Sequence, residues 1–135
     1  MRRAFLWASF VLASAAVIGI VLQIYFIAAW VFGASGALSA HRDAGSVVWG
    51  FEILAFLAGL VAWWGTWGNV AWSLCLAVLG TVQIGFVGDV EDPGRGWLHG
   101  LHGGLALFVA GMAAYIARRE ATALRVRDRP QTVQP

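Results

Sequence analysis

Lysine is absent from this 135-residue chain, cysteine occurs once, and charged residues make up only 12% of it. Each scarcity removes a class of protein. The lone Cys75 has no partner in the chain, which excludes an internal disulfide and any paired-cysteine metal centre. With 60% apolar residues and so few charges, the chain is no ordinary soluble domain. A glycine-rich phosphate loop, a nucleophile signature and a C-x-x-C-H attachment sequence are also missing. The basic end RREATALRVRDRPQTVQP is interrupted by Glu120 and Asp128, and charge that retains a terminus in the cytoplasm explains it without nucleic acid.

What is present is length in the apolar runs. They cover about residues 4–33, 45–64, 70–88 and 97–117, each near or above the roughly 20 residues that cross the hydrocarbon of a bilayer as a helix. The expectation is an all-α, integral membrane four-helix bundle over residues 1–118, followed by a basic, flexible cytoplasmic tail over 119–135. The start, MRRAFLWASFVLASAAVIG, has the outline of a secretory signal. Its apolar run continues through IVLQIYFIAAWVFG, about twice a signal core, so it reads as an uncleaved first span.

Arginine placement sets the expected orientation, because short cytoplasmic flanks are enriched in cations. Arg2 and Arg3 precede span one, while Arg118, Arg119, Arg125, Arg127 and Arg129 follow span four. Only Arg42 and Arg95 fall in the two loops on the opposite side. Both termini are thus expected in the cytoplasm of a multi-pass cell-membrane protein. Trp63, Trp64, Trp67 and Trp72 surround the inner turn WWGTWGN, at the depth where indole rings meet headgroups.

This topology gathers the histidines. His41, in LSAHRDAG, opens span two at the outer face, and His99 and His102, in GRGWLHGLHGG, open span four at the same face. At about 100° per residue, Gly45, Val48, Glu52, Ala55 and Gly59 follow His41 down one side of span two. His102, Gly103, Ala106, Ala110 and Ala113 follow His99 in span four. Two small-residue stripes can simply pack two helices together. Facing each other, they can also leave a slot whose outer end is closed by imidazoles, and a flat macrocycle with axial ligands fits such a slot. A non-covalently held haem b is the natural candidate. Arg42 and Arg95 are placed to pair with its propionates and Trp97 to supply a further donor. Gln83 could bond a macrocycle edge, support a histidine ring or bond a neighbouring helix. Glu52 and Gln23 lie at comparable depth near mid-bilayer, either bonded to each other or, for Glu52, handling protons or facing a quinone.

AHRDAG, VQIGFVG and WLHGLHGG together resemble one four-helix half of the haem A synthase family, and a family of small four-span membrane proteins with the same HR and LH marks. The similarity covers nearly all of residues 4–118. It implies that His41 and His99 are the metal ligands of a haem near the outer face, with Arg42 and Gln83 as neighbours and His102 one turn deeper. The synthase's glutamate before the HR histidine is replaced here by the stretch containing Ser39 and Ala40. A full synthase has eight spans and two haem sites, a number that a homodimer of this chain would restore.

The function expected is b-type haem binding for electron transfer or haem handling near the extracytoplasmic face. The alternative is a cofactor-free structural or accessory subunit of a larger membrane complex, suited by its glycine and alanine faces. A third is modification of a quinone or haem with Glu52 as the proton group. The orientation predicts that a reporter fused after Pro135 is active on the cytoplasmic side; activity outside the membrane would overturn it.

Overall fold

The structure, a computed structural model, describes residues 1–85, 94 and 96–127, the last two of these by backbone alone. Among them are four helices and no strand: α1 (Arg2–Val31), α2 (Ala37–Ala62), α3 (Trp67–Gly85) and α4 (Gly96–Arg127). All four are long and apolar enough to cross a membrane. In hydrocarbon every backbone N–H and C=O must pair within its own segment, so an unbroken apolar run has no lower-energy form than a helix. Between α1 and α2 the chain reverses within residues 32–36, where Gly33 (φ +90°) and Gly36 (φ +79°) take the left-handed backbone that other residues rarely adopt.

The principal packing runs round a ring, α1 against α2 and α4, and α3 against α2 and α4. The two helices that carry the histidines are therefore diagonal partners. The interior is built of small side chains, Ala13 and Ala16 from α1, Ala55 and Ala58 from α2, Ala77 from α3 and Ala113 from α4, with Leu76, Val109 and Ile116 filling between them. Large apolar side chains such as Ile18, Tyr25, Leu57, Val78, Leu107 and Phe108 turn outward. That distribution suits a lipid solvent, which offers no hydrophobic drive for association and leaves close packing to do it. Gly59 shows how close: a Cβ there would lie 2.7 Å from Ser73 Oγ and 3.7 Å from Ser9 Oγ.

At the end remote from the histidines, one polar cluster ties all four helices. Glu120 of α4 is fully buried and accepts from Trp63 Nε1 at the end of α2 (2.9 Å), from Ser9 Oγ of α1 (3.2 Å) and from Arg119 (2.8 Å). Arg119 also donates to the Asn69 carbonyl (2.9 Å) and to Ser73 Oγ (3.3 Å), both on α3, and lies over the Trp63 ring at 5.3 Å. Leu124 packs against Leu6 and Ala62 just beyond it.

These contacts correct three expectations. Span four does not end near residue 117; α4 continues to Arg127, because Glu120 and Leu124 prolong its buried face, and residues 119–127 are helix rather than tail. The rest of the expected tail, 128–135, lies outside the described residues. Trp63 serves the buried cluster, whereas Trp64, Trp67 and Trp72 are exposed as an interfacial belt requires. Span two begins eight residues before the expected 45, which puts His41 inside α2 instead of ahead of it.

Glu120→Ala leaves Arg119 and the Trp63 indole without their buried acceptor and should cost about 3–5 kcal/mol, read as unfolding in detergent micelles. Glu120→Gln, which still accepts a hydrogen bond, should lose distinctly less; equal stability of all three proteins would show that the cluster does not hold the bundle.

Candidate functional site: an opposed histidine pair

Two of the three histidines meet across the bundle diagonal. The rings of His41 (α2) and His102 (α4) have centroids 6.2 Å apart and planes inclined by 72°. Each is anchored by its own neighbour. His41 Nδ1 lies 3.0 Å from the backbone carbonyl of Gln23 in α1, and His102 Nδ1 lies 3.1 Å from that of Gln83 in α3. A carbonyl oxygen only accepts, so both Nδ1 atoms carry a proton, and in a neutral ring Nε2 then keeps its lone pair. Gln83 returns a bond from its side-chain Nε2 to the His102 carbonyl at 3.0 Å, clamping α3 to α4.

The acceptors arise from the helices themselves. Gln83 is within the last four residues of α3, where carbonyls have no partner along the helix. Gln23 sits inside α1 and offers its carbonyl's second lone pair.

Cavities open on both sides of the pair. One, of about 300 Å³, lies toward α2 and α3 and is bordered by Arg42, Gly45, Glu52, Gly80 and Gln83. The other, of about 500 Å³, lies toward α1 and α4 and is bordered by Ile24, Trp30, Arg42, His99 and Gly103. Gln23, His41, Arg42, His102 and Ala106 border both, so the two cavities share walls at the imidazoles and are together called the slot. Two buried polar atoms of the region have no partner, His99 Nε2 and Gln83 Oε1. Glu52 is 2% exposed, and its carboxyl occupies the space that a side chain at Gly80 would need.

The expected stripe along α2 is present, with Val48, Glu52, Ala55 and Gly59 buried. The expected pairing of His41 with His99 is not; His102 meets His41, and His99, three residues earlier on α4, borders only the larger cavity. The proposed bond between Glu52 and Gln23 does not form either, because Glu52 turns to Gly80 and the Gln23 amide lies beside Gly45. Trp97 is 65% exposed and borders neither cavity, since it stands at the very start of α4 and faces away. Arg95 lies outside the described residues. Sequence reasoning missed that the Gln23 and Gln83 backbones, and not only their amides, orient the histidines.

Imidazoles with a free ring nitrogen can serve as metal ligands. With a metal-to-nitrogen bond of about 2.0–2.1 Å and a centroid about 1.2 Å behind each nitrogen, imidazoles on opposite sides of one metal hold their centroids about 6.4–6.6 Å apart. At 6.2 Å the centroids of His41 and His102 lie slightly inside that spacing. Among the described residues no group of three or more His, Cys, Asp or Glu could close on a metal, so a site completed by protein ligands alone is not formed. No protein-family model, curated protein or solved structure matches the chain.

Selective ¹⁵N-histidine spectra of the ligand-free protein should show protonated Nδ1 and bare Nε2 at both His41 and His102. A bare Nδ1 with the proton on Nε2 would mean the rings are not held by the two carbonyls.

Proposed function

We propose that this chain is an integral membrane haem protein, with both termini cytoplasmic, that holds one b-type haem between His41 and His102 near the extracytoplasmic face and serves in electron transfer or haem handling. One observation carries the reading: two imidazoles, each held at Nδ1 by a backbone carbonyl, with ring centroids 6.2 Å apart and a cavity on either side. The residues present fit the group. Gly45 and Ala106 border the slot with little side chain, letting a flat plate approach the backbone. Arg42 borders both cavities and can pair with a propionate. His99 Nε2 is a buried atom in need of a polar partner, which a haem substituent can supply.

His41 and His102 would hold the haem, which when bound would supply one-electron redox chemistry. The bonds to Gln23 and Gln83 fix the tautomer and raise ligand basicity, and the apolar walls exclude water from the iron's surroundings. The resemblance to a half of the haem A synthase family points to the same ligand helices, α2 and α4. Geometry favours the second histidine of LHGLH over the first.

Protein purified from haem-replete cells should be coloured, give a sharp visible band in a dithionite-reduced minus oxidised spectrum, and yield one haem b per chain by pyridine haemochrome. His41→Ala and His102→Ala should each abolish it. His99→Ala should keep it, with affinity lowered by no more than about tenfold. A colourless wild type would leave the cofactor-free subunit as the reading, and haem loss confined to His99→Ala would move the ligand one turn outward.

A further inference from the structure

Glu52 and Glu120 are the two buried acids among the described residues. Glu120 is bonded to Trp63, Ser9 and Arg119 and lies about 27 Å from His102 along α4, at the far end of the molecule. Glu52, only 2% exposed, makes no hydrogen bond or ion pair among the described residues. It borders the same cavity as His41 and His102, and Gly80 gives its carboxyl a seat against the α3 backbone. A glutamine of the same size would pack as well there. A titratable oxygen pair is the feature that calls for a reason.

We infer that Glu52 is the proton acceptor coupled to the redox state of the histidine-held site: its carboxylate takes up one proton as the bound haem accepts one electron from a one-electron donor. This rests on the haem reading above. Glu52 is eleven residues from His41, about 16 Å along the α2 axis, and its side chain extends into the slot below the imidazoles. It bonds to neither ring. A unit change of charge at the slot acts on the carboxyl through a protein interior that screens it less than bulk water does.

The surrounding charges leave Glu52 as the group that answers. From α1 the cavity is faced by neutral Gln23, and from α3 by neutral Gln83 with no titratable side chain among the described residues. From α2 it is faced by His41 and Arg42, and from α4 by His102, with His99 beyond it in the second cavity. In this reading His41 and His102 are occupied as ligands, and Arg42 keeps its charge throughout the range in which proteins are stable. The added electron favours the protonated carboxyl. By reciprocity a proton on Glu52 favours the reduced state, so the midpoint potential falls as pH rises across the range in which Glu52 titrates.

The test is spectroelectrochemical titration of the haem-loaded protein from about pH 5 to 9, on wild type and Glu52→Gln, with redox-difference infrared spectra of the same samples. The inference requires a wild-type potential that falls with pH, a carboxylic C=O signal that grows on reduction, and loss of both in Glu52→Gln with the haem retained. Should Glu52→Gln fail to fold, Gly80→Ala pushes the carboxyl from its seat and must shift that C=O signal. A haem-loaded wild type with a flat potential, or a slope unchanged in Glu52→Gln, overturns this inference and leaves the haem reading standing. A wild type that binds no haem ends both.

Discussion

A polar group inside hydrocarbon has nowhere to turn but to the protein, and this constraint governs the bundle. It is met at two levels. At one end Glu120, Arg119, Trp63, Ser9, Ser73 and the Asn69 carbonyl satisfy one another almost completely and bind four helices into one body. At the other end the satisfaction is partial by design of the geometry. Each imidazole spends one nitrogen on a helix carbonyl and keeps the other bare, while His99 Nε2 and Gln83 Oε1 have no partner. Buried polar atoms are ordinarily paired; among the described residues the unpaired ones are Gln83 Oε1 beside one cavity, His99 Nε2 beside the other and Arg119 Nε at the far end.

Small side chains make both ends possible. The alanines and glycines of the inner faces bring the backbones close, and the lipid-facing bulk of Ile, Leu, Val and Phe contributes little to helix association. Near the imidazoles the same small residues, Gly45 and Ala106, border open space instead of interlocking. Leu76 and Ile116 fill the middle of the bundle, away from the small residues beside His41 and His102. The result is a body held tightly at one end and open at the other.

Much of this was legible in the chain. Four helices followed from run length alone. The buried face of α2, from Val48 through Glu52 and Ala55 to Gly59, followed from a 3.6-residue period. The meeting of histidines from α2 and α4 at one membrane level followed from counting spans. The choice between His99 and His102 did not, because the two differ by one turn and by about 60° in direction on one helix. Which of them reaches His41 depends on the height and tilt at which α4 docks. Glu120 carried a faint signal in the chain, since Ala113, Ile116, Glu120 and Leu124 continue one stripe at spacings of three and four. The neighbouring arginines gave that segment the composition of a solvated tail.

Composition and periodicity by themselves determined the number of spans, the helical class and the faces that turn inward, because each depends only on transfer into lipid and on the pitch of a helix. Tertiary structure alone decided which imidazoles oppose each other, that the Gln23 and Gln83 carbonyls hold them, that Glu52 leans on Gly80, and that Arg119 and Glu120 are interior. Those facts are distances between segments far apart in the chain, and no local pattern contains them.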